Sequence, residues 1–475
     1  MRFLSLAALA AAPLAAQSPA TAITQVSVVD VVRGRLVPDQ TVVVVGNRIV
    51  SVGPARSAAV PAGAREISGA GKFLIPGLWD MHVHAVTDWF GWFFLPQLVA
   101  NGVTGVRDLF TTAEAVATWR KRIGSGEVPG PRVGAFGSLV DGDPPIWGPQ
   151  SVVARNPAEG RRVVDSLAAA KVDFVKVYSR LDPATFAAIA ERARAVGIPF
   201  AGHVPQLVPA REAAQLGQRT IEHLTQVVLG CSHREAEFLA QSRAAFESPG
   251  KWDSLGVLSR GRIAALLDSQ DPARCADLAD AFKAAGTYLV PTTTVLRSVA
   301  YLDDSTLALD PRLKYIPAFL KTGWNPKTDF RFRTRTPADW AAAKKLHARE
   351  LELIGLMHRR GVRILAGTDL ANPYLYPGSS LHDELSLLVQ VGLTPLEALR
   401  AATIEPARFL GATDSLGSVA PGQVADLVLL DANPLASIEA VRRVAVVVAD
   451  GRVYDAAARA RIMAEAEQRA ARGLR

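Results

Sequence analysis

Two histidines, His82 and His84, stand two positions apart in residues 78–84, whose sequence LWDMHVH has the apolar character of a buried β-strand. Side chains alternate between the two faces of a strand, so residues two positions apart project from the same face. Two imidazoles on one face can bind a single metal ion, and imidazole nitrogen is a common ligand of Zn²⁺. The pair therefore indicates a metal site, although a His-x-His pair on its own is more often structural.

Four further polar residues end other apolar segments: Lys176 in FVKVYS, His203 in AGHVP, His223 in IEHL and Asp369 in AGTDL. An apolar core does not hold such groups unless something binds them. If these segments are strands of one barrel, their carboxyl ends converge and bring the side chains to one point. The joint pattern predicts a metal centre rather than isolated core histidines and a salt-bridged lysine.

The elements that would position these residues follow an alternating order. Short apolar runs alternate with amphipathic runs of helix length, such as residues 182–197 and 337–361, which is typical of repeated βα units. The candidate strands are residues 78–84, 103–110, 132–137, 173–179, 199–204, 220–224, 287–293 and 362–370. Eight such units predict an α/β fold built on a (β/α)₈ TIM barrel, with the active site at the carboxyl ends of its strands.

Both ends of the chain depart from this order, because they consist of short β-branched runs separated by Gly-Asn and Asp-Gly turns. We expect residues 22–75 and 408–456 to pair into one small composite β-sandwich domain. Residues 76–407 then form the barrel. Within it, residues 230–350 are expected to form a helical insertion over the barrel mouth.

The order of these motifs resembles that of the amidohydrolase superfamily of metal-dependent hydrolases. The matching parts are residues 76–84 (PGLWDMHVH), the strand-end residues Lys176, His203, His223 and Asp369, and the downstream segment 384–430. The resemblance is strongest to the branch of imidazolonepropionase-like proteins and Xaa-Pro or Xaa-basic dipeptidases. It departs from the family between about residues 231 and 350, where specificity is hardest to infer by analogy.

The resemblance implies a binuclear centre with two divalent ions, which we expect to be Zn²⁺. The implied ligands are His82, His84 and Asp369 for one ion, and His203 and His223 for the other. Because a free ammonium repels a dication, Lys176 suits this centre only if CO₂ converts it to a carbamate, which would bridge both ions together with a hydroxide. If Lys176 instead pairs with Asp108 or Asp369, the site is mononuclear and deaminase-like.

Roles for individual residues follow from this arrangement. Two cations lower the pKa of a bridging water, so that metal-bound hydroxide can attack a scissile carbonyl near neutral pH. Asp369 is the predicted catalytic residue, which takes the proton from this hydroxide and passes it to the leaving amine. Tyr178 and Arg180 share the strand parity of Lys176, so we expect them to face the mouth and contact a substrate carbonyl or carboxylate.

These features predict a hydrolase of amide or peptide bonds in small substrates, either dipeptides or N-acyl amino acids. Two alternatives stay open. The first is a different enzyme, either a cyclic-amide hydrolase, as in imidazolonepropionase-like proteins, or a mononuclear deaminase. The second is a non-catalytic scaffold. The presence of all six ligand residues argues against the scaffold. The sequence does not specify the exact substrate, the native metal or the oligomeric state, and it is compatible with a homo-oligomer.

Composition and charge limit the remaining possibilities. The 475 residues are 49% hydrophobic and 21% charged, which indicates a globular protein. The formal net charge of +8 is scattered along the chain, which favours small anionic substrates over nucleic acid. Residues 1–16 resemble a secretory signal peptide, so we expect a secreted or periplasmic protein without a membrane anchor. In that compartment Cys231 and Cys275 either form a disulfide or stay as two buried thiols.

Overall fold

A computed structural model describes residues 20–247 and 251–473. The predicted signal peptide, residues 1–16, lies outside the described residues. The strands are β1 (Thr21–Asp30), β2 (Arg35–Val45), β3 (Arg48–Pro54), β4 (Arg65–Ser68), β5 (Phe73–Pro76), β6 (Leu78–Val83), β7 (Val103–Asp108), β8 (Arg132–Asp141), β9 (Val152–Val153), β10 (Phe174–Val177), β11 (Phe200–Gly202), β12 (Thr220–Glu222), β13 (Tyr288–Val290), β14 (Leu427–Leu430), β15 (Val444–Ala449) and β16 (Arg452–Tyr454).

The helices are α1 (Gly91–Ala100), α2 (Ala113–Ser125), α3 (Pro157–Ala169), α4 (Pro183–Val196), α5 (Ala210–Gln215), α6 (Val227–Gly230), α7 (Glu235–Glu247), α8 (Lys251–Gly261), α9 (Ile263–Asp268), α10 (Pro272–Ala285), α11 (Thr293–Ala300), α12 (Ala318–Gly323), α13 (Pro337–Arg359), α14 (Ser379–Gln390), α15 (Pro395–Ala401), α16 (Ile404–Phe409) and α17 (Ala456–Arg472). Short 3₁₀ helices occupy Gly148–Gln150, Ser305–Leu309, Pro311–Tyr315 and Ile438–Arg442. No described helix combines the length and the apolar character needed to cross a bilayer.

Local sequence signals explain where the two predicted long helices begin and end. Asp182 caps α4 by accepting a hydrogen bond from the backbone N–H of Thr185 at 3.0 Å, and Gly197 ends the helix in a left-handed conformation. Thr336 and Asp339 form a reciprocal capping box at the start of α13. Both helices predicted from amphipathic runs are confirmed.

The barrel wall consists of seven parallel strands in the order β6, β7, β8, β10, β11, β12 and β13, with the short β9 beside β8. Residues 362–370 close the ring, because Ile364 bridges to Leu289 on β13 and Leu370 bridges to Val83 on β6. The predicted (β/α)₈ architecture is confirmed.

Residues 362–370 do not form the continuous strand that the sequence predicted. Their backbone divides its hydrogen bonds between two neighbours: the N–H of Leu365 donates to Leu289 at 2.9 Å, and that of Asp369 donates to His82 at 2.8 Å. Asp369 itself has a φ of +63°, which interrupts the extended conformation. The segment therefore closes the barrel through isolated bridges and turns Asp369 towards the strand ends.

The two chain ends form a separate mixed sheet in the order β16, β15, β14, β5, β1, β2 and β3, with β4 beside β1. This sheet has its own apolar core, which includes Ile23, Val42, Leu74, Leu427 and Leu429. The predicted hairpin turns join β2 to β3 and β15 to β16, and they touch, since the Asn47 amide donates to the Asp450 carboxylate at 3.0 Å. A β unit built from both chain ends is thereby confirmed.

Long helical connections flank β13. The connection before it contains α6 to α10, and the connection after it contains α11, α12 and α13. A disulfide joins Cys231, directly after α6, to Cys275 in α10, and both residues are fully buried. Because α10 packs against α5 and α13, this bridge anchors the base of the α7–α9 excursion to the barrel's outer helices. Of the two possibilities left open by the sequence, the structure therefore has the disulfide and not two buried thiols.

Candidate metal centre

Backbone hydrogen bonds between neighbouring strand ends position four of the six predicted ligands. Each bond ties the ligand's own N–H to a carbonyl of the adjacent segment of the barrel, which holds the Cα atoms at one rim. These bonds join His84 to Leu370 (3.2 Å), His203 to Val177 (3.0 Å), His223 to Val290 (3.2 Å) and Asp369 to His82 (2.8 Å).

The first group of side chains consists of His82, His84 and Asp369. Oδ1 of Asp369 lies 2.8 Å from Nε2 of His84 and 3.3 Å from Nε2 of His82. One ligand atom from each of the three residues falls within 4.8 Å of the other two. Among the described residues, Nε2 of His82 is buried and makes no hydrogen bond, and Oδ1 of Asp369 has only these imidazole nitrogens beside it. Converging buried lone pairs of this kind fit a divalent metal ion, which would satisfy both atoms.

The second group consists of Lys176, His203 and His223. The ring centroids of His203 and His223 are 4.9 Å apart, and His223 also lies 4.7 Å from the ring of His82, so the two groups are adjacent. Lys176 is 1% exposed and forms no ion pair with the carboxylates of the described chain. Burial lowers the pKa of Lys176 to about 8, against the opposing influence of the Glu222 and Asp369 charges.

Hydrogen bonds fix the tautomers of two imidazoles. Nδ1 of His82 donates to the Glu222 carboxylate at 2.7 Å, which leaves the Nε2 lone pair free. The Thr292 hydroxyl donates to Pro291 O at 2.6 Å, so its oxygen accepts from Nδ1–H of His223, also at 2.6 Å. Both rings therefore present a bare Nε2, the form in which imidazole binds a metal.

Glu222 connects this centre to a buried ionic network. Its second carboxylate oxygen accepts a hydrogen bond from Nη2 of Arg107 at 2.8 Å, and neither side chain has any exposed surface. Arg107 also donates to Met81 O at 2.7 Å and to the Thr220 hydroxyl at 3.2 Å. The carboxylate that orients His82 is thus held by a cation in the barrel core.

Strained backbone is concentrated at the same rim. His223, Thr292 and Asp369 have φ angles of 57°, 49° and 63°, a left-handed region that costs a non-glycine residue about 1 kcal/mol or more. Gly202 has a φ of 129°, and a Cβ there would lie 2.8 Å from Cδ of Lys176 and 2.3 Å from the backbone oxygen of the preceding strand. Only glycine leaves room for the lysine at this position.

Electrostatics favour the metal-binding protonation states. Burial, and secondarily the charge of Lys176, lowers the pKa of His82 and His203 well below the usual imidazole value. Burial also lowers the pKa of His223. For Asp369, burial alone would raise the pKa, but attraction to the protonated forms of His223 and His82 holds it well below the usual carboxyl value. Neutral imidazoles and an ionised carboxylate are the forms that coordinate cations.

Tyr178 lies against the second group, because its ring centroid is 4.0 Å from that of His203. Its hydroxyl oxygen accepts a hydrogen bond from the Trp147 indole at 2.9 Å, which leaves the hydroxyl proton available for donation. Ser179 Oγ lies 2.8 Å from Nδ1 of His203 and orients that ring. Arg180 turns towards the loop after β8, where its guanidinium donates to Pro144 O at 2.7 Å.

Sequence reasoning missed Glu222, Arg107, Ser179 and Thr292. A usable signal existed for the first two, since Arg and Glu inside predicted buried strands are rarely found without a partner. The two hydroxyl residues carry no such signal, because Ser and Thr are common at strand ends. Asp108, considered as a partner for Lys176, instead accepts hydrogen bonds from the backbone N–H groups of the residues after β6 and β7.

The amidohydrolase family model matches residues 73–454. The chain therefore belongs to the amidohydrolase family, whose members are metal-dependent hydrolases. Imidazolonepropionase from Geobacillus kaustophilus (strain HTA426) is 36% identical over 105 residues, which cover 20% of this chain and 24% of that protein. The matched segments span 9% to 24% of the curated relatives' own lengths, so this similarity is confined to part of each protein.

Solved structures resemble the whole described fold. Bottromycin amidohydrolase superposes with a TM-score of 0.72 at 23% identity, over 96% of this chain and 91% of that chain. A Xaa-Pro dipeptidase with bound methionine in its active site has a TM-score of 0.66 at 19% identity, over 92% of this chain and 100% of that chain. At these identities the likeness establishes the fold.

Proposed function

We propose that this protein hydrolyses amide or peptide bonds in small substrates, either dipeptides or N-acyl amino acids, at a binuclear metal centre. One observation carries the proposal: Nε2 of His82 and Nε2 of His84 converge on the buried Oδ1 of Asp369, at 3.3 and 2.8 Å, and Nε2 of His82 makes no hydrogen bond in the described chain. Two proteins of similar structure, a Xaa-Pro dipeptidase and bottromycin amidohydrolase, support this class of bond.

Each ligand has a place in this proposal. His82, His84 and Asp369 would hold one ion, His203 and His223 would hold the other, and a carbamate of Lys176 would supply oxygen ligands to the centre. Zn²⁺ suits this set of nitrogen and oxygen donors. The carbamate forms when the neutral lysine amine adds CO₂ and loses a proton. Among the described residues, Lys176 forms no ion pair with a carboxylate. This supports the carbamate over the alternative of a buried ion pair.

When bound, the ions would polarise the scissile carbonyl and lower the pKa of a water molecule. Asp369 Oδ accepts a proton from a water molecule whose oxygen adds to the scissile carbonyl carbon. It then transfers this proton to the leaving nitrogen as the carbon–nitrogen bond breaks, so a carboxylate and a protonated amine are released. The hydroxyl of Tyr178 donates a hydrogen bond to the substrate carbonyl or carboxylate. Arg180 contacts the substrate from the edge of the mouth or holds the Pro144 loop that borders it.

A cyclic-amide hydrolase is the second candidate, favoured by the 36% identity to the Geobacillus imidazolonepropionase over 105 residues. Metal analysis of the purified protein separates the possibilities. About two ions per chain support the binuclear amidase, about one supports a mononuclear deaminase, and none supports a non-catalytic scaffold. A panel of dipeptides, N-acyl amino acids and cyclic amides then distinguishes the two hydrolases.

Lys176→Ala tests the carbamate directly. We expect it to lose part of the bound metal and to lower kcat at least about tenfold, since ligand-support changes at metal sites cost about 10–100-fold. Short carboxylates with bicarbonate should restore part of the activity. The exposed Lys121 provides the matched control, because Lys121→Ala removes the same side chain from the surface. Full activity of Lys176→Ala at unchanged metal content would contradict the binuclear centre.

We also propose export, with cleavage near Ala16, and the domain limits 22–75 with 408–456 and 76–407 that the sequence predicted. The disulfide of Cys231 supports export, because such bonds persist in oxidising compartments. N-terminal sequencing of the protein recovered from the periplasm or medium tests this, since an intact N-terminus there would exclude cleavage.

A further inference from the structure

Three aromatic rings follow one another beside the candidate metal centre, each next to the one before it, and we call them the aromatic wall: Phe110, Trp147 and Phe330. The ring of Phe110 lies 5.7 Å from that of His84, Trp147 lies 6.3 Å from Phe110, and Phe330 lies 5.8 Å from Trp147. Phe330 is 54% exposed. The aromatic wall therefore connects a predicted metal ligand, through neighbouring rings, to an exposed aromatic side chain.

The three rings come from separate parts of the chain. Phe110 follows β7, Trp147 precedes the first 3₁₀ helix, and Phe330 lies between α12 and α13. A large exposed aromatic side chain in such a connection gains nothing from folding, because its apolar surface stays in water. Phe330 is not isolated, however, because its ring contacts that of Trp147, which in turn contacts Phe110 beside the candidate site.

Arg331 links the aromatic wall to Asp369 through Asn372, and its own charge is paired with Asp329. Its guanidinium lies 5.6 Å from the Trp147 ring and pairs with the buried Asp329 carboxylate at 2.7 Å. It also donates to the Asn372 side chain at 2.8 Å, and the Asn372 amide donates to Asp369 O at 3.1 Å. Because Asp329 neutralises this cation, the wall offers a bound group apolar ring contacts and no unpaired charge from Arg331.

We infer that the aromatic wall determines specificity and that the preferred substrates carry an aromatic or large apolar group next to the scissile bond. This inference rests on the proposed amidase function and narrows its substrate class. Aromatic groups pack against such rings in edge-to-face or offset geometry at 4.5–7 Å, whereas a methyl group covers little of the wall. The indole of Trp147 has a further role, because its N–H also holds the Tyr178 hydroxyl at 2.9 Å.

Phe330→Ala is the decisive substitution because it removes only the exposed end of the wall. Phe319→Ala is the matched control: Phe319 is 47% exposed, and its ring contacts Phe93 rather than a ring of the wall. The assay compares kcat/KM for dipeptides that carry Phe or Ala on either side of the bond. We expect the Phe-to-Ala preference of the wild type to fall about tenfold in Phe330→Ala, within the range of apolar pocket discrimination, and to stay constant in Phe319→Ala.

A binding measurement makes the test independent of turnover. Tryptophan fluorescence is titrated with N-acetyl-phenylalaninamide and with N-acetyl-alaninamide for the wild type and both variants. Tighter binding of the phenylalanine compound, lost in Phe330→Ala, supports the wall whether or not either compound is hydrolysed. The amidase proposal is judged separately, since it fails if no dipeptide or N-acyl amino acid is hydrolysed. Equal affinity for the two compounds in the wild type, or an unchanged preference in Phe330→Ala, would overturn the inference.

Discussion

Glu222 connects the buried Arg107 of the barrel core to His82 of the candidate metal centre. One carboxylate oxygen accepts from Nη2 of Arg107 at 2.8 Å, and the other accepts from Nδ1 of His82 at 2.7 Å. Both Glu222 and Arg107 are completely buried. Glu222→Gln preserves the size of the side chain but removes its charge. The new amide NH₂ group then faces either Arg107 or His82, and both of these are hydrogen-bond donors, so one of the two hydrogen bonds is lost.

The magnitude follows from the burial of the pair. Removing one partner of a buried ion pair costs about 3–5 kcal/mol, because the remaining charge is left uncompensated. Arg107 keeps its hydrogen bonds to Met81 O at 2.7 Å and to Thr220 at 3.2 Å. These bonds place the expected loss at the lower end, about 3 kcal/mol in the free energy of unfolding. His82 also loses the partner that orients it, which lowers metal affinity about 10–100-fold.

Urea unfolding followed by tryptophan fluorescence measures the stability change, and titration against a chelator measures metal affinity. Asp303→Asn is the matched control, because it makes the same carboxylate-to-amide change in the surface pair of Asp303 with Lys344. That pair is 2.9 Å long, with side chains 31% and 34% exposed, so its loss costs less than about 1 kcal/mol. Equal, small losses in Glu222→Gln and Asp303→Asn would refute the argument from burial. A large loss of stability at unchanged metal affinity would remove Glu222 from the metal centre.

Two further predictions concern the proton acceptor and the disulfide. Asp369→Asn retains an oxygen ligand but removes the base, so we expect kcat to fall on the order of 10²-fold or more while the circular dichroism spectrum stays unchanged. Steady-state kinetics measure this, and a near-wild-type kcat would exclude Asp369 as the base. Cys231→Ala opens the bridge to Cys275 across 44 residues, and the chain-entropy model predicts a loss of about 3–4 kcal/mol in urea unfolding. Mass spectrometry of the unreduced, alkylated wild type provides the check, since alkylation of both thiols would show that the bridge is absent.

Features that depend on neighbouring residues were predictable from the sequence. The period-two spacing of His82 and His84 predicted side chains on one face, and the two rings do approach the same carboxylate oxygen of Asp369. Hairpin turns and the caps of α4 and α13 were equally accessible, because each depends on residues a few positions apart. The eighth strand was harder to predict, since its irregularity comes from dividing its hydrogen bonds between β13 and β6.

The sequence by itself determined the barrel order and the types of side chain that meet at its rim, because alternation and strand-end position are local properties of the chain. Only the tertiary structure decided which groups support them. Arg107 and Glu222 are 115 positions apart, and Thr292 lies 69 positions from His223. The aromatic wall likewise joins three distant connections. Such pairings carry no periodic signal, because they exist only once ring closure brings remote segments within a few ångströms.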